Sequence, residues 1–148
     1  MKKLSFVVHQ HLTTTPHYDF GLKIGGVMSS WVVPRGPTLD PTVKRLARDF
    51  TEHDKKYGQG KSELWDEGSY IPEVEISKGV REEISDPGEG NKVMKEGLEK
   101  GEIKFLLEGK KLKGSFALVK TKNFPPGVKN AWLLIKHKDK YSKEGDGV

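Results

Sequence analysis

Apolar and polar residues alternate along most of the chain. Phe6 to His11, Tyr18 to Ile24, Val27 to Val33 and Lys44 to Thr51 each follow the two-residue period of a strand buried on one face. Gly25-Gly26 separates the second and third, a pair suited to a two-residue hairpin turn. Strands are also predicted over Ser62 to Trp65 and Tyr70 to Ile76, flanking a turn at Asp66-Glu67-Gly68-Ser69. Three more, Ile103 to Leu107, Ser115 to Lys120 and Trp132 to Lys136, are rich in β-formers, with Glu108-Gly109-Lys110 and Phe124-Pro125-Pro126-Gly127 as punctuation. A helical period occurs in Asn91 to Lys100: Asn91 would cap it, Val93, Met94 and Leu98 share a face, Gly97 weakens it and Gly101 would end it. Residues 86–90, Asp-Pro-Gly-Glu-Gly, predict a surface loop, and Ser142 to Val148 a frayed, flexible tail. Short strands joined by tight turns predict a mainly β chain, an antiparallel barrel or sandwich with one or two short helices, rather than a βαβ fold.

Composition narrows the function classes. A length of 148 residues suits a single domain spanning 1–148. Three Trp, six Phe and four Tyr supply a core although charged residues make up 32% of the chain, which argues against disorder throughout. The absence of Cys excludes disulfides, thiolate metal sites and cysteine nucleophiles. With no run of about 18 apolar residues and no signal-peptide core after Met1-Lys2-Lys3, a cytoplasmic protein without a membrane partner is expected. Charge is uneven: residues 1–50 carry seven basic and three acidic side chains, 51–100 eight and thirteen, 101–148 eleven and five. Two basic ends on one face would suit a polyanion, and a solvated lysine-rich surface would look the same.

Three of the five histidines fall within nine residues, in His9-Gln10-His11 and His17-Tyr18-Asp19. Residues two apart on a strand share a face, so His9 projects with His11 and His17 with Asp19. If residues 12–16 connect the strands, the two pairs can converge. Two imidazoles and one carboxylate form a facial set that leaves positions open for water and substrate, suiting zinc, manganese or iron without choosing among them. The bland alternative for any one histidine is a hydrogen-bonded core position. Downstream, Arg45 and His53 share strand parity. An arginine fork suits phosphate oxygens and a histidine can donate a proton to a phosphoryl group, although each is equally readable as surface charge. Lys136-His137-Lys138 is read as solvated charge at a strand end.

These residues match a family in order. Phe6-Val7-Val8 followed by His11, then His17-Tyr18-Asp19-Phe20, Ser30-Trp31-Val32-Val33-Pro34-Arg35-Gly36-Pro37, Lys44-Arg45-Leu46-Ala47 and Glu52-His53 resemble the 3′-phosphoesterase domain of bacterial DNA ligase D and its stand-alone archaeal relatives. The resemblance resumes at Glu63-Leu64-Trp65-Asp66, at Lys110 to Val119 and at Trp132 to His137, covering nearly the whole chain. It implies a compact β-barrel that heals 3′ ends of broken DNA with manganese, or with zinc, cobalt or another divalent metal in its place. The family removes a 3′-terminal ribonucleoside, then hydrolyses the resulting 3′-phosphate to a 3′-hydroxyl. By the same carry-over His11, His17 and Asp19 hold the metal. Arg35, Arg45 and His53 contact the scissile phosphate with Tyr57 nearby, and His9 stands where the family places a hydrogen-bonding Gln. The implied partners are 3′ ends of DNA or of DNA/RNA primer-templates, with a separate DNA ligase, polymerase or end-binding protein, in a prokaryotic nucleoid.

Three departures accompany the match. Gly21 stands where the family carries a phosphate-binding Arg, only five residues precede Phe6, and the loop between His53 and Trp65 is shorter by about a dozen residues. They leave open the balance between diesterase and monoesterase steps. Two rival readings follow: a non-catalytic nucleic-acid-binding barrel, and a cupin-like small-molecule metalloenzyme suggested by His9-Gln10-His11. The latter lacks its downstream Glu at Thr15-Pro16.

Overall fold

The Gly-Gly turn between the second and third strands is present as the sequence predicts: Gly25 and Gly26 take φ of 58° and 81° in the computed structural model, values that a side chain would oppose. The structure describes residues 4–12, 16–49, 61–122, 125–128, 130–145 and 148. The strands are β1 (Leu4–Leu12), β2 (His17–Ile24), β3 (Val27–Val33), β4 (Lys44–Asp49), β5 (Lys61–Ser77), β6 (Val80–Glu83), β7 (Glu102–Glu108), β8 (Lys113–Lys120) and β9 (Ala131–Lys136). All pairings are antiparallel, in the order β1-β2-β3-β4-β9-β8-β7-β5, and β1–β5 pairing closes these eight into a barrel. β6 extends the edge of β5 as a hairpin. The closed ring leaves few unpaired strand edges.

Alternation fills the barrel. Phe6, Val8, Phe20, Leu22, Trp31, Val33, Phe105, Leu107, Phe116, Leu118, Trp132 and Leu134 point inward and are almost fully buried. Some of their rings meet tilted or edge-on, as Phe20 and Trp31 do at 6.5 Å and Trp31 and Trp132 at 5.7 Å, and others stack, as Phe105 does on Phe116 at 6.3 Å. The residues between them face outward, and the site depends on this second set. Among the described residues, no helix is long and apolar enough to cross a membrane.

Four local expectations are corrected. The predicted turn at Asp66 to Ser69 lies within the continuous strand β5, because the buried Asp66 carboxylate accepts the backbone N–H groups of Lys110, Lys111 and Leu112 rather than turning its own chain. Gly68 presents no Cβ to the Glu108 carbonyl it passes. The surface loop predicted over 86–90 is instead the start of the only helix among the described residues, α1 (Pro87–Lys100). Asp86 caps it through Glu89 N–H at 2.9 Å, and Pro87 opens it with the φ a first turn needs. Asn91, expected as the cap, accepts Gly25 N–H and ties α1 to the β2–β3 hairpin. The frayed tail is anchored at least to residue 145, through Lys143 N–H to the Leu39 carbonyl and Gly145 N–H to Asp40. The strand predicted over Lys44 to Thr51 is present to Asp49, and its last residues lie outside those described.

Candidate metal centre

Strand register builds the site. On β1 and β2, His11 lies directly opposite His17, and His9 opposite Asp19. Opposite residues of an antiparallel pair share a face. Val8 and Phe20, the pair next to His9 and Asp19 along the strands, point into the barrel, so the four polar residues lie on its outer side. His11 is nonetheless only 7% exposed. Its ring stacks on His17 with centroids 4.7 Å apart and planes at 11°.

Three side chains converge. One ligating atom from each of His11, His17 and Asp19 falls within 4.8 Å of the others. His11 Nε2 touches Asp19 Oδ2, and His17 Nε2 stands 3.8 Å from Asp19 Oδ1. Two buried atoms of this set, His11 Nδ1 and Asp19 Oδ1, have no hydrogen-bond partner among the described residues. Buried polar atoms seldom remain so, and two of them on convergent nitrogen and carboxylate ligands fit a divalent cation of borderline character. His9 flanks Asp19 outside the convergent trio.

The remaining sequence candidates are less concentrated. Arg35 is exposed in the turn after β3, whose Val33 pairs with Tyr18, which places it at the rim of the barrel end that carries His11 and His17. Arg45 lies on the face of β4 shared with the buried Ala47, and its Nε donates to the Gly36 carbonyl at 2.9 Å. That puts it at the mouth of the barrel, on the opposite side of the sheet from the trio. His53 and Tyr57 lie outside the described residues. Gly21 leaves a gap two residues beyond Asp19 on the same face. Met28 fills it, with its sulfur 2.8 Å from where a Cβ would stand.

Sequence reasoning missed a second polar cluster. Lys136, expected as solvated charge, is 1% exposed, and its ammonium donates to Asp139 and to the His137 carbonyl, both at 2.6 Å. Around it, Glu73 accepts Ser115 Oγ–H at 3.1 Å and pairs with Arg81 at 3.4 Å, and Arg81 also donates to the Phe116 carbonyl. Burial pushes the Glu73 carboxyl up and the Lys136 ammonium down in pKa. The signal was available in parity, since Lys136 continues the inward series Trp132, Leu134. Arg81 Nε is buried there without a hydrogen-bond partner among the described residues, but no three His, Asp or Glu side chains converge as they do on β1 and β2.

Comparison with known proteins agrees in extent. Residues 9–120 match the family described as DNA Ligase D 3′-phosphoesterase domain. The chain is 36% identical over 148 residues to the multifunctional non-homologous end joining protein LigD of Pseudomonas aeruginosa, an alignment covering 92% of this chain and 15% of that protein. The Mycolicibacterium smegmatis protein of the same name is 32% identical over 146 residues, covering 90% of this chain and 17% of its own length. The Mycobacterium tuberculosis multifunctional non-homologous end joining DNA repair protein LigD is 30% identical over 129 residues, covering 79% and 14%. The chain thus spans about a sixth of these relatives. An ordered match over most of the sequence, carried on a closed antiparallel barrel, shows that the chain belongs to the DNA ligase D 3′-phosphoesterase domain family.

Proposed function

We propose that the chain is a divalent-metal-dependent phosphoesterase that prepares 3′ ends of DNA for repair, with manganese as its metal. The observation that carries this reading is the outward-facing convergence of His11, His17 and Asp19, with one buried imidazole nitrogen and one buried carboxylate oxygen of the trio left without hydrogen bonds. The family relatives are named for non-homologous end joining, which supports DNA ends as substrate. The substrates proposed are 3′-terminal ribonucleosides on DNA or primer-templates, removed by hydrolysis to a 3′-phosphate, and 3′-phosphates, hydrolysed to a 3′-hydroxyl for a separate ligase or polymerase.

His11, His17 and Asp19 would hold the ion, which when bound supplies Lewis acidity toward a phosphoryl oxygen. Arg35 at the rim and Arg45 at the mouth add positive charge at the barrel end where a phosphate develops charge in the transition state. His9 offers a hydrogen bond beside Asp19. By their places in the family motif alone, His53 is assigned the proton for the leaving oxygen and Tyr57 a contact with the phosphate. Lysines around the barrel would hold the backbone without reading bases, so little sequence preference follows.

The test is a labelled primer-template ending in one ribonucleotide, incubated with manganese and with chelator. Shortening only with manganese is expected, and Asp19→Ala should abolish it while the variant stays folded. Manganese at a hundred times its dissociation constant should stabilise the wild type by about 2.7 kcal/mol. For a chain of this size that is about 5–10 °C in melting temperature. Asp19→Ala should lose that shift. Unchanged primer under both conditions, from folded protein, would defeat the reading. DNA binding indifferent to metal, without turnover, would favour a non-catalytic binding barrel.

A further inference from the structure

The face carrying the trio can be followed across neighbouring strands. Leu64 on β5, His9 on β1, Asp19 on β2, Val32 on β3 and Arg48 on β4 are successive direct cross-strand partners. They form one row of side chains on the outer surface. Arg48 pairs in turn with the buried Ala131, whose carbonyl accepts Thr121 N–H, and the exposed Lys122 follows Thr121 in the chain.

The two ends of this row differ in charge. Toward β5 stand Leu64, 53% exposed, and the exposed carboxylate of Glu67, which pairs with Val7 one outward position along β1 from His9. Toward β4 stand the exposed Arg48 and then Lys122. Adjacent strands lie about 4.8 Å apart, so the Arg48 and Asp19 backbones are separated by roughly 10 Å, a span an extended arginine covers in large part. A polyanion leaving the trio over β5 would lay its phosphates beside Glu67, whereas one leaving over β4 meets a guanidinium suited to phosphate oxygens.

We propose that Arg48 binds the phosphate adjoining the one held at His11, His17 and Asp19, so that the nucleic-acid strand leaves the centre over β4 and only a terminal nucleoside lies toward Leu64. The proposal rests on the phosphoesterase reading and adds to it a substrate-binding residue and a direction. It also separates the roles of the two arginines on β4: Arg45 serves the barrel mouth, and Arg48 serves the strand beyond the reacting phosphate.

The experiment compares a deoxynucleoside 3′-monophosphate, which has no adjoining phosphate, with an oligonucleotide ending in a 3′-phosphate, both with manganese. Arg48→Ala should raise KM for the oligonucleotide about tenfold with kcat within twofold, Arg48→Lys should recover part of the loss, and neither should alter kcat/KM for the mononucleotide. Without metal, the salt dependence of oligonucleotide binding should lose about one unit of slope in Arg48→Ala. Lys92→Ala on α1, removing the same charge elsewhere, and Glu67→Gln should each stay within twofold of wild type. Equal losses on both substrates, no loss on the oligonucleotide, a Lys92→Ala loss as large as that of Arg48→Ala, or at least fivefold tighter binding in Glu67→Gln would each overturn the proposal. A wild type that turns over neither substrate with manganese would overturn the phosphoesterase reading, and this inference with it.

Discussion

Three backbone N–H groups converge on the single carboxylate of Asp66, at 2.9 Å from Lys110, 3.1 Å from Lys111 and 2.8 Å from Leu112. The side chain is 4% exposed, so removing it strands donors that water cannot easily reach. Asp66→Ala should therefore cost about 3–5 kcal/mol, seen as a melting temperature at least about 6 °C lower. Asp66→Asn, which keeps one acceptor oxygen, should lose roughly half as much. A loss below about 1 kcal/mol in the alanine variant would show that the 110–112 segment does not depend on this carboxylate. The residue also marks a limit of legibility. Asp66-Glu67-Gly68-Ser69 has turn composition, yet its capacity for hydrogen bonding is used more than forty positions away, where local pattern gives no information. His11, His17 and Asp19 were legible for the opposite reason, since spacing of two on adjacent strands of one hairpin fixes their common face.

Gly97 weakens α1 by intrinsic propensity but is required by the way the helix meets the barrel. A Cβ there would stand 2.6 Å from the Glu102 carbonyl oxygen and 2.6 Å from Ile103 Cγ2. The opposing backbone is pinned, because Gly101 N–H bonds the Gly97 carbonyl and Lys120 N–H bonds that of Gly101. Alanine gains about 1 kcal/mol of helix propensity over glycine, while forcing a methyl against fixed backbone costs about 1–3 kcal/mol. Gly97→Ala is thus expected to destabilise by about 1 kcal/mol in urea unfolding, and a stabilised variant would show that α1 can lift off the barrel freely. At this scale the helix was legible in its second half through Val93, Met94 and Leu98. Its first turn was hidden because Asp-Pro-Gly serves equally as turn and as N-cap with Pro at the first position. The β6 hairpin escaped because Val80 to Glu83 alternates too briefly to register, and its Gly79 turn resembles any loop.

For the whole molecule, repeated strand signals at short spacing indicated an antiparallel all-β fold, but order around the barrel was not legible, because closure joins β1 to β5 across more than fifty residues. The cluster of Glu73, Arg81, Ser115, Lys136, His137 and Asp139 depends on that order, linking β5, β6, β8, β9 and the segment after β9. It gives stability a pH dependence whose sign can be worked out. Burial first, then the positive charges of Arg81 and Lys136, hold the His137 pKa below its ordinary 6.5 against the opposing pull of Asp139 and Glu75. The unfolded chain therefore takes up that proton at a higher pH than the folded one, and stability falls as pH drops through the region below about 7. Asp139 acts in the same direction at lower pH: burial opposes its ionisation, but hydrogen bonds from Lys136 and from the Ser115 and Tyr141 N–H groups prevail and hold its pKa below 3.8. Glu73 has the opposite sign. Burial raises its pKa above 4.5, and protonation in acid relieves the cost of keeping it charged. His137 is the member of the cluster whose ordinary pKa lies near neutrality, so its part is read between pH 7.5 and 5.5. Melting temperature should fall from pH 7.5 to 5.5, and His137→Asn should make that fall shallower. Parallel profiles for the two proteins would show that His137 titrates in the fold as it does in the open chain, and that the cluster does not keep it neutral.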